Sequence, residues 1–162
     1  MSKSLGATMP PDLQRLLDGS DMTGGVGFTI QLVTVEAAGW PRIALLSVGE
    51  VLAPDESTLC LALWPGTTTT RELTRTGQAT LACVIDGAAY SIHTHFERGE
   101  DLTTGATQHA YFAGRIDECL VDEVSYARLT TGVAFELPDP DSVVPRWEAT
   151  IESVRKRVAE TG

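Results

Sequence analysis

Positive charge is scarce in this sequence, with 12 Lys and Arg against 22 Asp and Glu and a formal net charge of -10. Affinity for nucleic acid rests on cations that displace counterions from phosphates, so the balance excludes a nucleic-acid partner. Any anionic ligand must be held by a local group of donors, and the placement of the few arginines becomes informative. Long apolar runs are missing too. Nothing approaches the roughly 20 apolar residues that span a bilayer, so no membrane partner is expected. Met1 to Pro10 has one Lys and no apolar stretch of signal-peptide type, which points to a cytoplasmic protein. Cysteine is sparse and odd in number: Cys60, Cys83 and Cys119 lie far apart inside apolar runs, a pattern of reduced core thiols, not of a disulfide framework or a CxxC metal site. There is no Gly-x-Ser-x-Gly elbow, His-Glu-x-x-His helix or P-loop, so hydrolase and NTPase chemistry has no anchor.

What is present reads as one domain over residues 1–162 with 43% hydrophobic residues. Leu13, Leu16 and Leu17 recur at helical spacing behind a Pro pair, which predicts a short helix over Pro10 to Asp18. The glycines at 24, 25 and 27 precede a strand pattern, not a helix, and read as a turn. From Phe28 the period becomes two. Strands are predicted at Phe28–Glu36, Arg42–Val51, Thr58–Trp64, Ala79–Asp86, Ala89–Phe96, Ala110–Val121 and Leu129–Leu137. Between the third and fourth lies one short helix, Thr70–Thr76. About seven strands with so few crossovers predict a mainly β fold, a largely antiparallel sheet closed into a barrel. A C-terminal helix follows Pro138, with Trp147, Ile151, Val154 and Val158 on one stripe and Asp141 or Ser142 as its cap; Pro145 is expected in its first turn. The polar Gly99–Gln108 segment reads as a hairpin loop.

The segment richest in chemistry is Trp64-Pro65-Gly66-Thr67-Thr68-Thr69-Thr70-Arg71-Glu72-Leu73. Thr69 and Glu72 have capping-box spacing, which places the start of a helix there. Free N–H groups, the positive end of the helix dipole, threonine hydroxyls and Arg71 could together receive a phosphate. A plain capped turn uses the same residues, and that reading stays open. Arg42, which opens the apolar strand Ile43-Ala44-Leu45-Leu46, and Ser47, which ends it, could be brought beside the threonines by antiparallel pairing. His93 and His95 share one side of a strand, and His109 could join them across a hairpin; a solvated strand surface is the simpler account, since structural zinc needs four ligands. No metal is expected.

The order Pro41-Arg42-x-x-Leu45-Leu46-Ser47, a turn, a strand, then Gly66-Thr67-Thr68-Thr69 leading into a helix that ends at Gly77, resembles the FMN-binding half of the pyridoxamine 5'-phosphate oxidase-like split β-barrels. The likeness covers roughly Phe28 to Ile92, and Ser125 to Gly132 with Arg146-Trp147 is similar to a bacterial subgroup. The resemblance implies FMN as cofactor, with Arg42 on the flavin phosphate or ribityl chain and Ser47 where many members place a lysine. Thr67, Thr68 and Thr69 fall on the phosphate loop, where Ser-Arg-Lys or Ser-x-Thr is usual, and Arg71 follows it. It also implies a homodimer with flavins between the subunits and a small-molecule substrate. No catalytic residue is assigned. The Arg-x-His motif of true pyridoxamine 5'-phosphate oxidases does not occur after Arg146, so that reaction is not expected. A flavin needs no acid–base signature in the protein, because the cofactor carries the redox step. The alternatives are a non-catalytic flavin-binding or storage protein, and a split barrel that uses haem or a deazaflavin.

Overall fold

The computed structural model describes all 162 residues. In chain order the elements are β1 (Ser2–Ser4), α1 (Pro11–Leu16), β2 (Ile30–Val35), β3 (Pro41–Leu46), β4 (Val51–Asp55), β5 (Thr58–Leu63), α2 (Thr68–Thr76), β6 (Gln78–Ile85), β7 (Ala88–Arg98), β8 (Leu102–Thr104), β9 (Thr107–Asp122) and α3 (Pro140–Thr161). No helix is long and apolar enough to cross a membrane.

All strand pairs are antiparallel, and the main sheet runs β3-β2-β6-β7-β9-β5-β4. The 16-residue β9 is its spine, pairing with β5 and β7 along its length and with β1 and β8 at its ends. Alternation along β2 explains the sheet's two faces: Ile30, Leu32 and Thr34 are buried while Val35 is exposed. The two end strands of the sheet, β3 and β4, are joined by the Ser47–Glu50 turn, and the Ala62 N–H donates to the Glu50 carbonyl at 2.9 Å. The core gathers inside this curve around Phe112, Leu61, Leu81 and Ile92. Cys60, Cys83 and Cys119 are buried free thiols, as the sequence predicts, and burial pushes Cys83 up to about 12 and Cys119 up to about 11. Neither thiol ionises near neutrality, so both behave as apolar filler.

Several expectations are corrected. The predicted strand Arg42–Val51 is two strands, broken at Ser47–Glu50. Leu129–Leu137 is no strand; it makes one isolated bridge, Phe28 to Ala134, and Leu129 and Val133 are exposed. The polar β1 and the short β8 carry no apolar alternation that sequence could register. α3 starts at Pro140, capped by Asp139 without a side-chain bond, so Pro145 lies inside the helix instead of in its first turn. The histidines do not converge. His109 is opposite Leu102, whereas His93 and His95 face Glu118 and Arg115 on the far side of β9.

Candidate functional site

Two adjoining features meet at Trp64: the start of α2, and a cleft roofed by α3. At the first, Thr67 is the cap of α2, its backbone extended at φ -80, and its Oγ1 accepts from the Thr70 N–H at 3.1 Å. Thr70 Oγ1 donates to the Trp64 carbonyl at 2.8 Å, which folds the Pro65-Gly66 turn back on the strand it leaves. Gly66 takes φ +78, a left-handed conformation costly for other residues. The helix ends on Gly77 at φ +68, as its αL stop.

The predicted capping box is therefore displaced. Thr67 and not Thr69 supplies the cap, because the helix begins two residues earlier than the spacing suggested. Glu72 does not reach back to the helix start; its carboxylate takes Arg75 Nε at 2.7 Å and Arg71 Nε at 3.2 Å. The Arg75 bond first, then the Arg71 bond, hold its carboxyl below the ordinary value. Thr68 and Thr69 are left with N–H groups that find no acceptor among the chain's turn and cap bonds, as helix starts leave them. Two free N–H groups, two hydroxyls and Arg71 beside them fit a phosphate monoester. The Arg71 side chain is 68% exposed, and Glu72 also takes Arg75, so the carboxylate keeps a partner if the Arg71 guanidinium turns to a phosphate.

The other predicted residues lie elsewhere. Arg42, the second residue of β3, lies opposite Thr34, and its Nη1 stands 3.5 Å from Glu36 Oε1; no bond joins it to the threonines. Ser47 is buried in the β3–β4 turn, where its N–H and Oγ donate to Glu50 Oε2 at 2.7 and 3.2 Å. It opens on the second feature, a cleft of about 490 Å³.

Trp64 and Trp147 are the aromatic surfaces of this cleft, Glu50 and His109 its ionisable groups with Arg146, and Thr150 adds a hydroxyl. α3 reaches so near because of Gly49: a Cβ there would stand 2.2 Å from the Trp147 ring, so any other residue displaces the indole. His109 tilts against Trp64 with ring centroids 5.3 Å apart, is 8% exposed, and its Nδ1 has no partner. Burial lowers its pKa, which keeps the imidazole neutral at pH 7. Burial raises that of Glu50, against the opposing bonds from Ser47. Sequence reasoning gave Glu50 no role and read Trp147 only as part of the apolar stripe of the last helix. The available signal was an acidic residue set between two apolar runs, Leu45-Leu46 and Val51-Leu52, beside a glycine.

The curved antiparallel sheet, the short helix after its fifth strand and the C-terminal helix define a split β-barrel fold. A candidate pyridoxamine 5'-phosphate oxidase from Lactobacillus delbrueckii has this fold, with a TM-score of 0.58 and 17% identity over 72% of this chain and 98% of its own. HupZ of Group A Streptococcus (TM-score 0.53, 14% identity, 75% of this chain and 98% of its own) and an F420 reductase (0.50, 10%, 68% and 98%) share it. No protein-family model matches the sequence. The chain belongs to the family of the uncharacterized protein YclD of Bacillus subtilis (strain 168), to which it is 33% identical over 148 residues, 91% of this chain and 96% of that one.

Proposed function

We propose that this protein binds FMN and serves as a flavin-dependent oxidoreductase acting on a small organic molecule. The observation that carries the reading is the start of α2, where the unclaimed N–H groups of Thr68 and Thr69 adjoin their own hydroxyls and Arg71. FMN would supply the two-electron chemistry, while the chain fixes the phosphate and excludes water from the bound ring. The fold, shared with a candidate pyridoxamine 5'-phosphate oxidase and an F420 reductase, supports a flavin or deazaflavin as the group held. The test is titration of the purified protein with FMN, followed through flavin absorbance and fluorescence, then addition of reduced pyridine nucleotide. Binding with bleaching supports the oxidoreductase; binding without it favours a storage role; no spectral change sinks the reading.

Arg42→Ala is expected to weaken FMN by about 1.5–3 kcal/mol, provided the guanidinium leaves Glu36 for the phosphate or ribityl chain. The half-exposed pair with Glu36 offers little resistance to that exchange. Unchanged affinity in Arg42→Ala refutes that role. Thr69→Ala spares the cap, which belongs to Thr67, but truncates a buried side chain, so its FMN affinity is read beside its unfolding midpoint and is expected to fall.

A homodimer forms the second part of the proposal. β3 ends the sheet, and Ile43 and Leu45 on its outer face are each 59% exposed, with Trp40 at 73% beside them. An edge strand carrying such side chains is a site of pairing unless something covers it. Sedimentation equilibrium checks this, with Ile43→Lys expected to give monomer. The three unbridged thiols are in keeping with a reducing, cytoplasmic setting.

A further inference from the structure

Beneath α3, the cleft holds two acceptor atoms to which the chain donates no bond. Glu50 Oε2 takes both bonds from Ser47, while no bond from the chain reaches Oε1. No cation is paired with this carboxylate: Arg146, the basic residue of the cleft, turns its Nε to the Ser142 carbonyl at 3.3 Å. His109 Nδ1 is the second unmet atom, on a ring that is 8% exposed and braced by Trp64. Of the two, His109 Nδ1 is buried, so a ligand that donates to it supplies a bond that neither the chain nor open solvent provides. Nδ1 is an acceptor when the proton sits on Nε2, so both unmet atoms call for donors from the occupant.

The rest of the lining fixes the occupant's shape. Trp64 and Trp147 present indole surfaces from β5's end and from α3, and faces of this kind attract flat rings and cations. The net charge of -10 favours a positive ligand over a negative one.

We propose that this cleft binds a small aromatic cation carrying N–H donors, an amidine or an amine, with Glu50 as its counter-ion, His109 as a second acceptor and the two indoles about its ring. The site uses neither the threonine turn nor Arg42; Ser47, which the resemblance implies for the flavin, serves here as the donor that holds Glu50. The Glu50 carboxylate, the His109 ring nitrogen and the Thr150 hydroxyl make it a recognition site for a specific edge, not a general apolar pocket.

The experiment compares benzamidine with benzoate, two molecules of nearly one shape and opposite charge, by calorimetric titration of the full chain. Benzamidine should bind at least about tenfold more tightly than benzoate. Glu50→Gln should reduce benzamidine affinity by about tenfold or more and His109→Phe severalfold, while FMN affinity, read from flavin absorbance, stays as in the unaltered protein. Benzoate binding as well as or better than benzamidine would assign the cleft to Arg146 and overturn the proposal. So would the absence of benzamidine binding up to millimolar concentration, or full affinity in Glu50→Gln. The benzamidine and benzoate comparison needs no variant, so a substitution that fails to fold does not remove the test. Loss of FMN binding with benzamidine binding intact would count against the flavin reading alone.

Discussion

Phe112→Ala is expected to lower the free energy of unfolding by about 3–5 kcal/mol, the range for removing a buried aromatic ring. Phe112 has no exposed surface and lies on β9, opposite Leu61 of β5 and Arg98 of β7. It therefore packs where three strands of the spine meet. The Arg98 guanidinium is 5.7 Å from the ring centroid, so its attraction to the aromatic face is lost as well. Relaxation into the gap is limited, because close-packed β strands cannot draw together without breaking ladder bonds, and the cavity cost should stand near the upper part of the range. Urea unfolding followed by tryptophan fluorescence checks this, with the midpoint shifted and the slope unchanged. A loss under about 1 kcal/mol would mean that the core collapses freely around the missing ring.

The same residue shows which parts of the fold were legible. Ala110, Phe112, Ile116 and Leu120 alternate as one face of a strand, and three of them are buried as the alternation requires. Where one face of an element meets the core, burial writes the period into the sequence. Leu129–Leu137 has the same alternation without the burial: Leu129 and Val133 are exposed, and one bridge is all the pairing it makes. Periodicity states that a segment can alternate; only tertiary space decides whether a neighbour is there to receive it. Ser2–Ser4 is the reverse case, a strand by hydrogen bonding alone, with exposed residues on both faces.

At the site, local chemistry was readable and long-range placement was not. A threonine run before a helix announces a cap, and the structure moves the cap only from Thr69 to Thr67. The meeting of Glu50, His109 and Trp147 joins a turn, a strand and the final helix, residues separated by most of the chain. Nothing periodic connects them. Gly49 is the trace they leave, for the Trp147 ring occupies the space where a Cβ would stand, and the steric reason for glycine appears only once α3 is in position.

Ile151→Ala is expected to cost about 2–5 kcal/mol, and to act on α3 before it acts on the barrel. Ile151 is 1% exposed and, with Val154 at 0%, anchors a 22-residue helix whose other surface is largely in water. Val144, Trp147 and Val158 add apolar contact toward the two ends of the helix, and the polar ties are Arg155 Nη2 to the Asp18 carbonyl at 2.9 Å, Ser153 to Thr104 at 2.9 Å, and Arg157 Nη1 to the Glu100 carbonyl at 2.7 Å. Exposed bonds of this kind do not replace a lost apolar anchor. Hydrogen exchange should show the α3 amides losing protection while those of β7 and β9 keep theirs. Because Trp147 and Thr150 leave with the helix, benzamidine binding should fall in step with α3 protection, and FMN binding at the threonine turn should persist. Equal loss of protection across α3 and the sheet would instead mean that helix and barrel unfold as one unit, and that the cleft is as stable as the core beneath it.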